Sequence, residues 1–179
     1  MAWQGPEINF KIEPLDDGHD RAAFSCNVED LDHYLRKRAG QDMKKRVAAV
    51  FVATADGKTI AGFYALSAHM LNLGELPEEI AKKLPRYPNV PATLLGRLAV
   101  SKDWRGRGLG EFLLMAALRQ ALAGTKHVAS AAVVVDAKDA AARQFYEHYD
   151  FLPLPSQPAR LFYLMKTIAA LFPAHAPEK

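Results

Sequence analysis

The sequence predicts a single α/β domain with a mixed sheet and helices on both of its faces. Two β-rich runs flank Asp56-Gly57 in the first half, which is the strongest hairpin signal in the chain. Strands alternate with helices in the second half, as they do where helices cover both faces of a sheet. Half of the 179 residues are apolar, which suffices for one core. We therefore expect one domain at 1–170 and a flexible tail at 171–179.

The elements follow in order along the chain. Residues 8–14 alternate as a strand that ends at Pro14, and a helix follows that Asn27 caps and Gly40 ends. The apolar stripe of this helix consists of Val28, Leu31, Tyr34 and Leu35. The remaining predictions are hairpin strands at 47–54 and 59–68, a helix at 77–84, a loop at 86–93, a strand at 93–100, a helix at 111–123, a strand at 129–137, a helix at 138–149, and strands at 151–155 and 159–168.

Composition narrows the class of protein. The formal net charge of +3 and the pI near 9.0 are compatible with an anionic partner. The lone cysteine, Cys26, excludes an internal disulfide and is expected to be a small core residue. No run approaches the ~20 apolar residues of a membrane span, and the N-terminus lacks the pattern of a signal peptide. We expect a cytoplasmic protein without a membrane partner and predict no metal site.

The segment RGRGLG, residues 105–110, connects a predicted strand to a predicted helix. Glycines at such a point let the backbone approach a ligand, and the first amides of the helix point outward. These amides and the helix dipole favour an anion, normally a phosphate, and Arg105 and Arg107 would strengthen the site. The spacing matches neither a Walker A loop nor a Rossmann fingerprint. Taken alone, the glycines equally suit a helix-start turn with solvated arginines.

The wider pattern narrows this choice. Arg105-x-x-Gly108-x-Gly110 resembles the coenzyme A pyrophosphate loop of the GCN5-related N-acetyltransferases, the GNAT superfamily. Downstream, DAAARQFYEHYDF resembles the helix motif that follows this loop in the superfamily. Two residues depart from that motif: Asp139 replaces an asparagine, which puts a secondary coenzyme contact in doubt, and Asp150 replaces a glycine, which predicts a left-handed turn.

A narrower resemblance covers nearly the whole chain. The motif F-x-C-x-x-x-x-L-D-x-Y-L, which begins at Phe24, and the strand LGRLAV are similar to the acetyltransferase toxins of bacterial toxin–antitoxin pairs. The resemblance implies a mostly antiparallel sheet that splays between its fourth and fifth strands. It implies acetyl-CoA as co-substrate, aminoacyl-tRNA as acceptor, a ribbon–helix–helix antitoxin and a homodimer.

The resemblance also assigns residues. Tyr146 is the implied proton donor, since a phenol with a pKa of ~10 stays protonated at neutral pH; a packed aromatic is the alternative. The implied coenzyme-binding residues are Leu98, Ala99, Val100, Arg105, Gly106, Arg107, Gly108, Leu109, Gly110, Asp139 and Ala142. No residue stands out as a general base. Whether His69 or Glu75 assists remains open, and the low pKa of an esterified amino acid's amine makes a base dispensable.

Basic residues cluster on and after the first helix, with six cations in eleven residues. A local positive field suits RNA phosphates, while a solvated helix face is the alternative. The candidate tRNA contacts are Arg36, Lys37, Lys44, Lys45, Arg46 and Arg97. Arg97 lies within an apolar strand and is either a buried, paired arginine or a substrate contact.

Three functions remain in competition. The first is a toxin that acetylates the α-amine of aminoacyl-tRNA, blocks translation and is neutralised by a cognate antitoxin. The second is the same acetyl transfer to a protein N-terminus or a small amine. The third is a catalytically silent module that binds coenzyme A or acts as a co-repressor.

Overall fold

The computed structural model describes residues 9–173, which contain seven strands and six α-helices. The strands are β1 (Lys11–Pro14), β2 (Ala49–Thr54), β3 (Gly62–Asn72), β4 (Asn89–Val100), β5 (Ala132–Asp136), β6 (Leu152–Leu154) and β7 (Gln157–Leu164). The helices are α1 (Glu29–His33), α2 (Ala39–Lys44), α3 (Glu78–Ala81), α4 (Leu109–Gly124), α5 (Ala140–His148) and α6 (Met165–Leu171). No helix in this range combines the length and apolar character that a membrane crossing requires.

The strands form one mixed sheet in the order β1-β2-β3-β4-β5-β7-β6. All pairs are antiparallel except β4 and β5, which confirms the predicted mixed, mostly antiparallel sheet. The predicted hairpin is also confirmed, because β2 and β3 pair antiparallel with Val52 opposite Phe63. Asp56 builds its turn by accepting hydrogen bonds from the Lys58 and Thr59 amides, at 2.8 Å and 2.7 Å. The splay between β4 and β5 stays a prediction.

The chain forms two compact units, which we describe separately. The first comprises residues up to Ser67 together with Leu95–Ala117, and Cys26 lies in its core as predicted. The core of this unit consists of Leu15, Phe24, Cys26, Tyr34, Leu35, Ala39, Val50, Val52, Ile60, Phe63, Ala65 and Ala99.

The second unit comprises, within the described residues, Ala68–Leu94 and residues 118–173. β5 is buried along four of its five residues, as its apolar run predicts. The core of this unit consists of Leu71, Leu76, Val90, Ala92, Ala132, Val134, Leu154 and Phe162. One domain at 1–170 stays a prediction, and residues 174–179 of the predicted tail lie outside the described residues, as does Ile8 of the first predicted strand.

The first helical region differs from its prediction in two ways. Asn27 does not cap the helix, because it adopts a left-handed conformation (φ 61°) and Val28 takes the cap position. Gly40 does not end it either, because the helix passes through a π-helical segment, Tyr34–Arg38, into α2. A Cβ on Gly40 would lie 2.7 Å from Nη1 of Arg21, so this glycine admits a neighbouring side chain rather than breaking the helix.

Three boundaries in the second half were also predicted wrongly. β4 begins at Asn89 inside the predicted proline-rich loop, since the Pro91 carbonyl accepts a hydrogen bond from the Ala131 amide at 2.8 Å. α4 begins at Leu109, two residues before the predicted start. The last predicted strand ends at Leu164, and Met165–Leu171 is a helix that buries Met165 and Ile168.

Gly62 tests how tightly β3 packs in the first unit. A Cβ there would lie 2.6 Å from Cδ1 of Leu113 and 2.9 Å from the Ala99 carbonyl oxygen, which is backbone and cannot rotate away. We expect Gly62→Ala to lower the free energy of unfolding by about 1–3 kcal/mol in urea denaturation. Gly124→Ala is the matched control, because no atom lies within 4 Å of its added Cβ. Equal stability of the two variants would contradict the packing described here.

Candidate active site

The glycine turn, residues 105–110, adopts the conformation that its sequence predicts for close approach of a ligand. Gly106 and Gly108 have φ values of +72° and +80°, which side chains rarely permit. No atom lies within 4 Å of a Cβ built on either residue, so both face open space. The Phe112 amide donates to the Gly108 carbonyl oxygen at 3.1 Å, which is the first turn of α4. The amides of Leu109, Gly110 and Glu111 therefore have no acceptor within the helix.

The two arginines of the turn are exposed and differently anchored. Nη2 of Arg105 donates to the carbonyl oxygen of Cys26, which ties the turn to the core of the first unit. The Arg107 guanidinium lies 5.0 Å from the centroid of the Trp104 ring. Neither arginine pairs with a carboxylate among residues 9–173. Open backbone, helix amides and two uncompensated cations fit the diphosphate of a coenzyme.

The strand that leads into the turn contains the other predicted coenzyme contacts. Ala99 is buried and Leu98 and Val100 are half-buried near the end of β4. The Ser101 amide donates to the Ala61 carbonyl oxygen at 2.8 Å, so the end of β4 lies beside the start of β3. Leu109 is buried as the first residue of α4, and Gly110 follows it within the helix.

Tyr146 lies on α5 in the second unit, where only 8% of its surface is exposed. Its ring packs edge-on against Phe145 and Phe151, with centroids 5.2 Å and 5.4 Å away. Burial raises its pKa to about 12, so the phenol keeps its proton throughout the physiological range. No hydrogen bond of the described residues involves its hydroxyl, and none of their buried side-chain oxygens is unpaired. The hydroxyl therefore retains some solvent contact and can donate to a ligand.

Asp139, the predicted secondary coenzyme contact, caps α5. Its carboxylate accepts a hydrogen bond from the Ala142 amide at 2.8 Å. An asparagine oxygen makes the same bond, so the change from the family residue leaves this cap intact. Asp150 adopts φ 69° after the helix, which confirms the predicted left-handed turn.

The second unit also contains an ionic cluster around His69, defined here as His69, Glu75, Asp136, Gln157 and Arg160. Arg160 forms a bidentate pair with Asp136 at 2.7 Å and 2.9 Å. Burial and the Arg160 charge lower the pKa of His69, although Asp136 and Glu75 oppose them, so the imidazole is neutral at pH 7. Gln157 donates to Glu75 at 3.5 Å. His69 can therefore accept a proton.

The basic residues of the first helical region are mostly exposed and uncompensated. Lys37 lies in the π-helical segment, and Lys44, Lys45 and Arg46 end α2. Arg36 is the exception, because it pairs with Glu29 at 3.4 Å. The structure thus brings Lys44, Lys45 and Arg46 together at one helix end.

Arg46 has an unusual backbone conformation, φ 59°. The Val47 amide donates to the Asp42 carbonyl oxygen and the Arg46 amide to that of Met43, at 2.9 Å and 3.1 Å. This is a Schellman motif, whose left-handed position favours glycine because other residues are strained there.

Arg97 is neither fully buried nor ion-paired. Its guanidinium lies 3.6 Å from the centroid of the Tyr34 ring, and the Tyr34 hydroxyl donates to Asp42 at 3.1 Å. Burial and Asp42 raise the pKa of Tyr34 to about 12, against the opposing effect of Arg97. The partner of Arg97 is therefore an aromatic ring, which the sequence did not predict. No local sequence pattern indicates this contact, because Tyr34 and Arg97 lie far apart in the chain.

The sequence model of the acetyltransferase (GNAT) domain matches residues 46–153. The chain belongs to the GNAT acetyltransferase family. It is 34% identical to "Probable toxin TacT" of Sinorhizobium fredii, covering 89% of this chain and 93% of that protein. It is 36% identical to the tRNA-acetylating toxin of Mycobacterium tuberculosis, covering 88% of this chain and 93% of that protein. The structure of AtaT complexed with acetyl-methionyl-tRNAfMet has a TM-score of 0.85, with 26% identity and coverage of 92% and 100%.

GNAT membership gives the glycine turn and Tyr146 a common chemical context, since the family uses acetyl-CoA as co-substrate. The turn, in the first unit, has open space at its two left-handed glycines. Tyr146, in the second, has a protonated and unpaired hydroxyl. Their individual roles in this chain, like those of Asp139, Ala142 and the basic residues, remain predictions.

The strain at Arg46 can be measured. We expect Arg46→Gly to raise the thermal midpoint by about 2–4 °C, because glycine adopts the left-handed conformation without penalty. Lys45→Gly is the matched control and should lower the midpoint, since Lys45 has φ −83° in the right-handed region. Differential scanning calorimetry distinguishes the two. A lowered midpoint in Arg46→Gly would show that the arginine is not strained.

Proposed function

We propose that this chain is an acetyl-CoA-dependent N-acetyltransferase toxin that acetylates the α-amine of aminoacyl-tRNA and thereby blocks translation. The observation that carries the enzymatic part is the glycine turn at the start of a 16-residue helix, with two exposed arginines and open space at both left-handed glycines. The acceptor is supported by similarity to a tRNA-acetylating toxin and to AtaT, whose structure contains acetyl-methionyl-tRNAfMet.

The chain's first task is to hold the co-substrate, which supplies an activated acetyl thioester. The amides of Leu109 and Gly110, together with Arg105 and Arg107, hold the diphosphate. Backbone amides of Leu98–Val100 bind the pantetheine arm and polarise the thioester carbonyl. Asp139 and Ala142 contribute a secondary coenzyme contact. Each of these roles follows from the family resemblance and the positions of the residues.

The second task is proton transfer. The acceptor nitrogen forms a bond to the acetyl carbon, the carbon–sulfur bond breaks, and the sulfur leaves as a thiolate. Tyr146 donates its proton to the sulfur and regains one from the acetylated nitrogen, so the products are an amide and a thiol. Support comes from the Tyr146 hydroxyl, which is protonated and has no partner among the described residues.

A dedicated base is not required for this acceptor. The amino group of an esterified amino acid has a pKa below the ~7.7–8.0 of an ordinary α-amine, so it is substantially neutral near pH 7. The neutral His69 is available as an auxiliary acceptor. Acceptors with more basic amines, such as polyamines, would lose this advantage.

The tRNA would contact the basic residues of the first unit. Lys44, Lys45 and Arg46 form a positive end of α2, to which Arg36, Lys37 and Arg97 add charge. Phosphate contacts of this kind release counterions and make affinity fall with salt. We further propose a ribbon–helix–helix antitoxin, a homodimer and a cytoplasmic location, which follow from the toxin resemblance alone.

Tyr146→Phe tests the proton donor and the acceptor together. The wild-type protein should transfer labelled acetyl groups from acetyl-CoA to charged tRNA far faster than to spermidine or a peptide N-terminus. Tyr146→Phe should lower kcat by about 10²–10⁴-fold, as expected for loss of a general acid, with acetyl-CoA affinity nearly unchanged. Phe145→Leu serves as a packing control. Full activity in Tyr146→Phe would refute the assignment, and preference for a small amine would refute the tRNA acceptor.

Charge reversal tests the basic end of α2. We expect Lys44→Glu/Lys45→Glu/Arg46→Glu to raise KM for charged tRNA. The slope of log KM against log salt concentration should fall by about two to three. KM for acetyl-CoA should not change. The control carries the same net charge at exposed sites elsewhere, Lys58→Glu/Lys126→Glu/Lys166→Glu. If both triple variants behave alike, the effect is one of net charge and the end of α2 is not a tRNA contact.

A further inference from the structure

The segment between α3 and β4 presents a basic and aromatic surface. We call residues 82–88, KKLPRYP, the Tyr87 loop. The Tyr87 side chain is 66% exposed, although tyrosine is usually half-buried or more. Lys82, Lys83 and Arg86 are exposed beside it. Residues 80–94 contain these cations and no carboxylate, and although Glu78 and Glu79 precede this stretch, only Lys82 pairs with one of them, so within residues 9–173 Lys83 and Arg86 are the unpaired cations of the loop.

Both ends of the loop are attached to the second unit. The Tyr87 amide donates to the Pro85 carbonyl oxygen at 2.8 Å, and the Leu73 amide donates to that of Pro88 at 3.1 Å. Leu84 packs against the core of the second unit, in which Val90 is buried. The two prolines also restrict the backbone on either side of the tyrosine. The backbone is therefore held on both sides of Tyr87, whose side chain is exposed.

This combination of groups matches the chemistry of an unpaired nucleotide. A base of a single strand stacks on an exposed aromatic ring, and its phosphates pair with neighbouring cations. A base inside a duplex is already stacked and cannot use the ring. Of the three cations, Lys83 and Arg86 have no ion pair among the described residues, while Lys82 pairs only with the exposed Glu78 at 3.4 Å.

We propose that the Tyr87 loop binds the single-stranded acceptor end of the RNA substrate, with one base stacked on Tyr87 and its phosphates on Lys83 and Arg86. The identity of the RNA rests on the proposed function. The stacking contact itself does not depend on acetyl transfer. The loop would distinguish an unpaired RNA end from a helical one, which the basic end of α2 cannot do through phosphates alone.

Fluorescence anisotropy with two labelled probes tests the proposal directly. One probe is a short single-stranded RNA ending in CCA, and the other is a blunt RNA duplex of the same length. We expect Tyr87→Ala to weaken binding of the single strand roughly tenfold, within the range of base–aromatic stacking, and to leave duplex binding unchanged. Tyr87→Phe should bind as the wild type does, since it keeps the ring. Val128→Ala removes another exposed apolar side chain (76% exposed) and should change neither the affinity for the single strand nor that for the duplex.

Several results would overturn the proposal. They are wild-type protein that does not bind the single strand, Tyr87→Ala that binds it normally, or Tyr87→Phe that binds as weakly as Tyr87→Ala. A parallel acetylation assay separates this proposal from the proposed function. If RNA binding depends on Tyr87 but charged tRNA is not acetylated, the Tyr87 loop binds RNA as proposed and charged tRNA is not the substrate. If Tyr87→Ala acetylates charged tRNA with the kcat/KM of the wild type, the proposed role of the Tyr87 loop is refuted and the proposed function is not.

Discussion

The left-handed backbone at Gly106 and Gly108 is the constraint on which the rest of the proposed chemistry depends. It lies between β4 and α4, where no atom is within 4 Å of a Cβ built on either glycine. Arg105 fixes this turn by donating to the Cys26 carbonyl oxygen. The packing of Gly62 against Ala99 and Leu113 keeps the preceding strand and the helix in place within the same unit. The anion site that we propose thus depends on backbone geometry, to which the arginines add charge.

Acid catalysis requires a different physical environment from anion binding. Tyr146 is surrounded by Phe145 and Phe151, and this apolar burial raises its pKa. A phenol in such a place remains protonated and has no competing partner in the described chain. The arginines of the glycine turn, by contrast, are exposed and solvated. The surroundings of the glycine turn are therefore exposed and cationic, whereas those of Tyr146 are buried and aromatic.

Features with local causes could be predicted from the sequence. The hairpin at Asp56-Gly57, the strained turn at Asp150 and the helix of Tyr146 each follow from residues close in the chain. The errors concern tertiary contacts. Gly40 lies within a helix because it accommodates Arg21, and Pro91 lies within a strand because its carbonyl receives the Ala131 amide. Neither neighbour is close in the sequence.

The candidate site likewise contains features that the local sequence predicts and features that depend on tertiary contacts. The glycines, Tyr146 and the basic residues are recognisable as residue types at fixed spacing. The stacking of Arg97 on Tyr34 and the pairing of Arg160 with Asp136 depend on where the chain folds back. No short-range pattern encodes them. Similarity to known GNAT toxins supports the function but does not supply these contacts.

Isothermal titration calorimetry with acetyl-CoA and with acetyl-pantetheine, which lacks the diphosphate, tests the central claim most directly. If the glycine turn holds the diphosphate, acetyl-CoA binds saturably at one site per chain and acetyl-pantetheine binds far more weakly. The absence of binding heat with acetyl-CoA at several temperatures, or equal affinity for the two compounds, would contradict the account.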